Sequence, residues 1–396
     1  MKKKLLFFLM ITGLISGCRK DVVIYHTEAD VIKTDELKIN QIQTIGSHNS
    51  YRLHTRPEIF NTCVNLYNQG VIPPGYNPNE WDYTHATLEK QFDNFKIRSI
   101  ELDIYHDPHG GQFYYQKGNS LAGLNDTSKI PELLSPGFKI LHIPDVDYMT
   151  NYYTFKDALI HIENWSDAHP NHFPVFIMIE LKTETLKDAL PASVFTASLP
   201  FTKNALDSID LEIKQIFGDG LTKVITPDNL RGNFATINEA VKAGKWPTIG
   251  ESRGKVCFIL MTSSQQEQDY LSGHDNLNGR AAFIFSSAGK PEAAFLKYDD
   301  AVVNLDTIKK YVSEGYFIRT RADAGTWEAR SGDYNPMNKA FESGAQLVST
   351  DYYKPDYRCD TSSTWTCYSV QFPGGNTAVV NPVCGPKNAE NKNLNE

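Results

Sequence analysis

The stretch Val175-Phe-Ile-Met-Ile-Glu-Leu-Lys182 is a short, mostly apolar run of the kind that forms a buried strand. Seven similar runs recur between residues 40 and 352, at 42–45, 97–104, 139–143, 256–260, 282–285, 317–321 and 346–350. Helix-like segments lie between several of them, at 154–166, 191–217, 236–243 and 336–343. Strands that alternate with helical connections over this length predict an α/β fold, a parallel (β/α)8 TIM barrel.

A doubly wound open sheet is the competing architecture for the same alternation of strands and helices. It is disfavoured because no glycine-rich dinucleotide loop and no Walker loop follows any of the runs. The composition, with 41% hydrophobic and 22% charged residues in a chain of 396, is that of an ordinary globular protein. A disordered chain is therefore excluded.

The first residues are not expected to belong to the barrel. Lysines at positions 2–4 precede an apolar run at 5–15 that is too short to span a bilayer, as in a secretory signal. Small residues follow directly before Cys18, which resembles a bacterial lipobox. We therefore expect residues 1–17 to be a lipoprotein signal peptide and Cys18 to carry the lipid. An ordinary signal peptide with an incidental cysteine is the alternative.

The remaining chain divides into three parts. Residues 18–38 are polar and mixed in charge, which suits a tether. Residues 39–353 form the barrel, and residues 354–396 form a C-terminal tail of coil that contains cysteines. We expect an exported cell-envelope lipoprotein, a monomer held at a membrane surface by its lipid anchor, at the outer membrane or the cell surface.

The charge of the chain bears on its partners. The formal net charge is −8, and no run rich in lysine and arginine lies outside the signal. An acidic surface repels phosphate backbones, so nucleic acid is not an expected partner.

Export permits disulfides, and three cysteines lie in the tail: Cys359, Cys367 and Cys384. We expect at least one bridge there, with Cys359 and Cys367 the nearest pair. Cys63 is a further candidate, so the connectivity stays open. Cys257 lies in an apolar run. Metal binding by these thiols is the weaker interpretation, because no pair has the spacing of a zinc knuckle.

Polar residues lie near the carboxyl ends of four neighbouring predicted strands. They are His48 and Asn49 after the first run, Glu101 and Asp103 in the second, His142 in the third, and Glu180 and Lys182 in the fourth. Because side chains alternate along a strand, the two acids of the second run share one face. Each residue alone could be a solvated pair or a surface histidine. Their convergence at the end of a barrel where active sites lie predicts a functional site.

The chemistry of this set points to phosphodiester cleavage. Three carboxylates and an amide oxygen are hard ligands that suit Ca²⁺, whereas magnesium or zinc is less favoured, although the histidines keep zinc possible. A divalent cation lowers the pKa of a bound hydroxyl. Two histidines could stabilise the charge that develops on a phosphate and protonate the leaving oxygen. Lys182 would add a further positive charge for the phosphate.

At these residues the sequence resembles the phosphatidylinositol-specific phospholipase C superfamily, and specifically its secreted bacterial calcium-dependent branch. The resemblance covers about residues 40–353. The markers are Ile45-Gly-Ser-His-Asn-Ser-Tyr51, Ser99-Ile-Glu-Leu-Asp103, Leu141-His142 and Ile179-Glu-Leu-Lys182, followed by segments at 246–250, 253–256, 318–323 and 343–351.

The resemblance implies a (β/α)8 barrel with His48 and His142 as the catalytic pair. It implies the following ligands for Ca²⁺: Asn49, Glu101, Asp103 and Glu180. It also implies that Lys182 lies near a substrate phosphate, and that the inositol 2-hydroxyl attacks phosphorus to give a cyclic inositol phosphate and diacylglycerol. The metal-independent branch places a basic residue where a metal would lie, whereas this chain keeps its acids, so metal dependence is favoured.

Four residues near the ends of the last two strands are further candidates for binding substrate. Arg319 and Arg321 could contact a phosphate or inositol hydroxyls, and a structural salt bridge is an equal alternative. Asp351 and Tyr352 could hydrogen-bond to a polar ring or stack on it, or they could form a barrel-closing turn. The loops that set specificity match no particular substrate. The lipid is therefore phosphatidylinositol, a glycosylated phosphatidylinositol anchor or another phosphodiester.

Two other functions stay open. A glycerophosphodiester or sphingolipid phosphodiesterase would use the same barrel, although the glycerophosphodiester enzymes open with His-Arg rather than His-Asn. A non-catalytic surface lipoprotein could capture a sugar or phospho-ligand with the same acidic mouth. That protein would bind without turnover and would keep its affinity in a His142→Ala variant.

Overall fold

The computed structural model describes residues 32–190, 193–394 and 396. Cys18, the expected signal peptide and most of the expected tether lie outside these residues. The strands are β1 (Ile42–Ser47), β2 (Ser99–Tyr105), β3 (Lys139–Ile140), β4 (Val175–Leu181), β5 (Val256–Met261), β6 (Ala282–Ile284), β7 (Phe295–Asp300), β8 (Phe317–Arg321), β9 (Leu347–Thr350) and β10 (Ala378–Val380).

The helices lie mainly in the connections between these strands. They are α1 (Pro57–Asn68), α2 (Leu88–Phe95), α3 (Gly118–Leu121), α4 (Phe155–Ala168), α5 (Leu186–Ala189), α6 (Lys203–Phe217), α7 (Pro227–Arg231), α8 (Ile237–Lys242), α9 (Ile249–Ser252), α10 (Ser264–Leu271), α11 (Ala301–Ser313), α12 (Trp327–Ser331) and α13 (Asn335–Ser343). Short 3₁₀ helices include Pro74–Tyr76 and Pro78–Trp81. No helix in the described part of the chain has both the length and the apolar character needed to cross a membrane.

Eight of the described strands form a nearly closed parallel barrel. Their order is β6-β5-β4-β2-β1-β9-β8-β7, and a parallel bridge from Phe285 to Phe295 joins the two ends. The predicted (β/α)8 architecture is therefore confirmed.

The predicted third strand is wrong as a barrel strand. Of the run 139–143 only β3 is a strand, and it pairs antiparallel with the end of β2. The place in the barrel belongs instead to β7, which the sequence pattern missed. Residues in the second half of β7 are partly or largely exposed, so its sequence contains no continuous apolar run. As a result β2 pairs directly with β4.

Three of the predicted helical segments are confirmed, as α4, α8 and α13. The helix expected over 191–217 is wrong at its start, because α6 begins at Lys203, where the side chain of Thr202 caps it. This cap satisfies a backbone N–H that would otherwise lack a partner.

The barrel interior is apolar below the catalytic end. Phe176, Phe295 and Phe317 come from three strands, and the rings of Phe295 and Phe317 are 5.2 Å apart. Trp246 closes the cluster from outside the strands, 5.2 Å from Phe317. These phenylalanines lie at the starts of their strands. The aromatic cluster therefore fills the end of the barrel opposite the end where active sites lie.

The tail from residue 354 packs against the barrel and is more regular than the coil that we expected. Its strand β10 pairs antiparallel with β1, Val380 lying opposite Ile42. The expected bridge between Cys359 and Cys367 is present, which confirms that pairing. Glu396 accepts hydrogen bonds from Arg98 and so ties the described end of the tail to the base of the barrel.

Candidate active site

The turn after β1 is fixed on top of β2. A Cβ atom on Gly46 would lie 1.8 Å from the Ser99 hydroxyl oxygen, so only glycine permits this approach of the two strands. The backbone N–H of Ser50 donates to the carbonyl oxygen of Glu101 at 2.9 Å, and the N–H of Glu101 donates to the Ser50 hydroxyl at 2.8 Å. Asn49, which precedes Ser50, has a φ of 47°. This turn directs Asn49 and His48 over the end of the barrel.

Three carboxylates converge beside this turn. Asp103 and Glu180 are direct partners in the register of β2 and β4, and oxygen atoms of Glu101, Asp103 and Glu180 lie within 4.8 Å of one another. Lys182 lies 3.6 Å from Asp103 and 3.6 Å from Glu180. The structure thus brings together four residues that the sequence placed on two strands.

The oxygen atoms of this cluster fit a cation. Both carboxylate oxygens of Asp103 and the amide oxygen of Asn49 are buried, and no described residue donates a hydrogen bond to them. Burial, and then the charge of Glu180, raise the pKa of Asp103 well above its ordinary value. Hard oxygen ligands that are left without donors are the set that Ca²⁺ prefers.

Arg319 lies inside the barrel, where it is buried. It donates to a carboxylate oxygen of Glu101 at 2.8 Å and to the Ser349 hydroxyl at 3.2 Å, and it pairs with Asp299. Of the two roles weighed for Arg319, this geometry is that of the structural salt bridge. It balances the charge of Glu101.

His48 is held by a buried carboxylate. Its Nδ1 lies 2.8 Å from Asp351 Oδ1, and its Nε2 lies 3.6 Å from Glu101. Arg321 donates to the second oxygen of Asp351 at 2.9 Å. Although burial alone would raise it, the pKa of Asp351 is held well below its ordinary value by His48 and Arg321. The Nε2 of His48 is therefore the atom turned toward the carboxylate cluster.

His142 has a carboxylate partner of its own, Asp147, at 2.6 Å from its Nδ1. Arg52 donates to both oxygens of Asp147, at 2.8 and 3.0 Å. Burial lowers the pKa of His142, and Asp147 opposes this shift. Burial also opposes ionisation of Asp147, but Arg52 and His142 lower its pKa to about 2. Asp147 is thus an anion at neutral pH.

The two histidines open onto one cavity of about 410 Å³. Its lining comprises His48, Gly75, Tyr76, Glu80, Trp81, Tyr83, Tyr105, His142, Ile143, Lys182, Glu184, Arg321, Gly325 and Asp351. Tyr352 does not line it but packs among other aromatic rings, 6.3 Å from Tyr83 and 6.1 Å from Trp365. Of the candidates for binding substrate, the cavity therefore brings together Lys182, Arg321 and Asp351.

The segment 81–83 contacts both histidines. Trp81 meets the ring of His142 edge to face at 6.0 Å, and the hydroxyl of Tyr83 lies 3.4 Å from Nδ1 of His48. Asp82 between them accepts hydrogen bonds from Arg330 at 3.1 Å and from Arg358 at 2.8 and 3.0 Å. Arg358 of the tail therefore holds the segment that contacts both histidines.

Sequence reasoning missed Arg52 and Asp147. Arg52 follows the quoted segment that ends at Tyr51, so its position was a weak signal. Asp147 lies in an irregular connection five residues after His142, where no periodicity singles out one acid. Asp351 was found as a residue for substrate but also partners His48.

A (β/α)8 barrel whose mouth joins two carboxylate-backed histidines to a cluster of hard oxygen ligands is typical of cation-dependent phosphodiesterases. A family model described as phosphoinositide phospholipase C, Ca²⁺-dependent, matches residues 37–382. The chain belongs to this family of calcium-dependent phosphodiesterases, so it is an enzyme whose cofactor is Ca²⁺, as predicted.

Solved structures agree in fold. The chain is similar to a calcium-dependent phosphoinositol-specific phospholipase C from a Gram-negative Pseudomonas sp. In one apo crystal form the identity is 14% and the TM-score 0.52, covering 87% of this chain and 96% of that one. A structure of the same enzyme described as a myoinositol complex gives 15% identity and a TM-score of 0.50, covering 80% and 91%. A comparison with curated proteins returned no match.

Proposed function

We propose that the protein cleaves phosphatidylinositol or a related inositol phospholipid, with the inositol 2-hydroxyl as the nucleophile. The products are a cyclic inositol phosphate and diacylglycerol. The observation that carries this proposal is the cavity onto which His48 and His142 both open beside the carboxylate cluster. The inositol-bound neighbour from Pseudomonas sp. supports an inositol headgroup.

Ca²⁺ held by Asn49, Glu101, Asp103 and Glu180 would lower the pKa of a bound hydroxyl and neutralise phosphate charge. His48 lies on this side of the cavity, so its Nε2 is placed to accept the proton of the 2-hydroxyl as that oxygen bonds to phosphorus. Asp351 keeps its imidazole in place through Nδ1.

His142 contacts Trp81 of the 81–83 segment, and its Nδ1 is bound to Asp147, which leaves Nε2 for substrate. It donates a proton to the glyceryl oxygen as the bond from phosphorus to that oxygen breaks. Lys182 and Arg321 are the cations of the lining that face the phosphate. One bond to phosphorus forms and one breaks, and His48 and His142 carry the two proton transfers.

We further propose that the enzyme acts as an exported lipoprotein at a membrane surface, at the outer membrane or the cell surface. The support is the sequence before and at Cys18. Labelled palmitate should be incorporated into the wild-type protein and not into Cys18→Ser.

The test of the reaction uses phosphatidylinositol vesicles with Ca²⁺ or with chelator, followed by phosphorus NMR. A cyclic phosphate that forms only with Ca²⁺ is expected. His48→Ala should abolish it, whereas His109→Ala, which changes an exposed histidine outside the cavity, should not. Turnover of glycerophosphodiesters or sphingomyelin, with none of inositol lipids, would overturn the proposed substrate. Ligand binding without turnover would instead indicate a surface binding protein.

A further inference from the structure

A second cavity, of about 550 Å³, lies beside the active site and is apolar. Leu66, Ile72, Leu121, Val146, Leu190 and Phe195 are among its lining residues. No charged side chain belongs to the lining that the structure describes. Val194, also in the lining, is 76% exposed, so the cavity opens to the surface. Its size and lining are those of a site for a small apolar ligand.

The same three chain segments line both cavities. Ile72 lines the apolar cavity, and Tyr76 lines the catalytic one. In a second segment, Val146 lines the apolar cavity and Ile143 lines the catalytic one. The two residues belong to one turn, in which the N–H of Val146 donates to the carbonyl of Ile143 at 3.4 Å.

The third shared segment follows β4. Glu184 lines the catalytic cavity and Leu190 the apolar one. The hydroxyl of Tyr76 donates to the carbonyl of Thr185 at 3.3 Å and so joins this segment to the first. A charged chamber and an apolar chamber therefore share one wall.

We infer that the apolar cavity holds one acyl chain of the lipid whose headgroup occupies the catalytic cavity. The inference rests on the proposed function, because that substrate joins a charged headgroup to apolar chains through glycerol. Each chamber matches one part of such a molecule. Transfer of a methylene group from water to an apolar site strengthens binding about fourfold.

The first test measures kcat/KM on monomeric single-chain phosphatidylinositols with acyl chains of increasing length. The wild type should gain up to about fourfold for each added methylene until the cavity is filled. Leu190→Asp should flatten this dependence, because it places a charge in the cavity. Both proteins should cleave acyl-free glycerophosphoinositol at the same rate.

Val303→Asp is the matched control. Val303 lies on α11, outside the cavity lining, and 78% of its surface is exposed. The substitution therefore adds the same charge to the protein without changing the cavity. It should keep the chain-length dependence of the wild type. A dependence that persists in Leu190→Asp would place the chain elsewhere and overturn the inference.

A second test does not need turnover. A fatty acid with a dansyl group at the end of its chain should bind the wild type, His48→Ala and Val303→Asp, and should bind Leu190→Asp at least tenfold more weakly. No binding to the wild type would overturn the acyl-chain site. A wrong proposed reaction would give a different result from a wrong acyl-chain site. The protein would then turn over no inositol phosphodiester, including the acyl-free one.

Discussion

The two histidines of the active site are supported in the same way but exposed differently. Each has a buried carboxylate on Nδ1, and each carboxylate is held by an arginine. On the side of His48, the carboxylate and the arginine also line the cavity. On the side of His142, Arg52 and Asp147 are both fully buried, and of these three residues the histidine alone lines the cavity.

The difference separates two roles for the same kind of residue. Arg321 can act on the substrate as well as on Asp351, because 16% of its side chain is exposed at the cavity. Arg52 does not line the cavity and acts through its neighbours, Asp147 and Tyr83, over whose ring its guanidinium lies at 4.6 Å. A buried pair of this kind costs desolvation, so its value lies in fixing one orientation of the imidazole.

The largest expected effect comes from the histidines themselves. His48→Ala and His142→Ala should each lower kcat on phosphatidylinositol by about 10²–10⁴, because each removes a proton transfer. With an inositol phosphate ester of p-nitrophenol, whose leaving group needs no proton, His142→Ala should recover and His48→Ala should not. Equal recovery would contradict the separate roles.

Substitution of Arg52 should mainly lower stability, whereas substitution of Arg321 should mainly lower activity. Arg52→Ala should reduce the free energy of unfolding by about 3–5 kcal/mol, since it removes from the buried Asp147 the cation that donates to both of its oxygens. Arg321→Ala should cost less stability and act mainly on kcat/KM. Urea unfolding of both variants, beside their activities, checks this. A larger loss of stability in Arg321→Ala would reverse the comparison.

The pH response should be specific to one histidine. Burial lowers the pKa of His142 and Asp147 opposes this, so Asp147→Asn should lower that pKa further. At a given acidic pH, less His142 would then be protonated. NMR titration of the imidazole measures the shift. Asp351→Asn is the control, because it should leave the titration of His142 in place.

The smallest effect is expected where the two histidines share support. Arg358→Ala removes hydrogen bonds to Asp82 and should loosen the 81–83 segment. It should lower kcat by less than the roughly 10²-fold cost of a 1 Å misplacement, and it should do so equally for both leaving groups. Lys392→Ala, which changes an exposed residue of the tail, should leave kcat unchanged with both leaving groups. An effect limited to one leaving group would show that the segment serves one histidine.

The alternation of apolar runs with helical segments was enough to predict the barrel, because buried parallel strands need continuous apolar sequence. The same rule missed β7, half of which is exposed, and took 139–143 for a barrel strand. The structure brings Glu101, Asp103, Glu180 and Lys182 together at one end of the barrel, as expected from their positions on two neighbouring strands. Asp147, the partner of His142, was not found, because it lies in an irregular connection with no period to follow, and Arg52, which holds it, is 95 residues away.

The pairing of β1 with β10 has a consequence for how the chain reaches its final form. The first strand pairs with β2 through Gly46 and Ser99, but its more extensive partners are β9 and β10, which lie about 300 residues further along the chain. Contacts between distant parts of a chain close large loops and slow folding. The contacts of β1 with β9 and β10 therefore form slowly, and β1 lacks these partners until both strands have been synthesised.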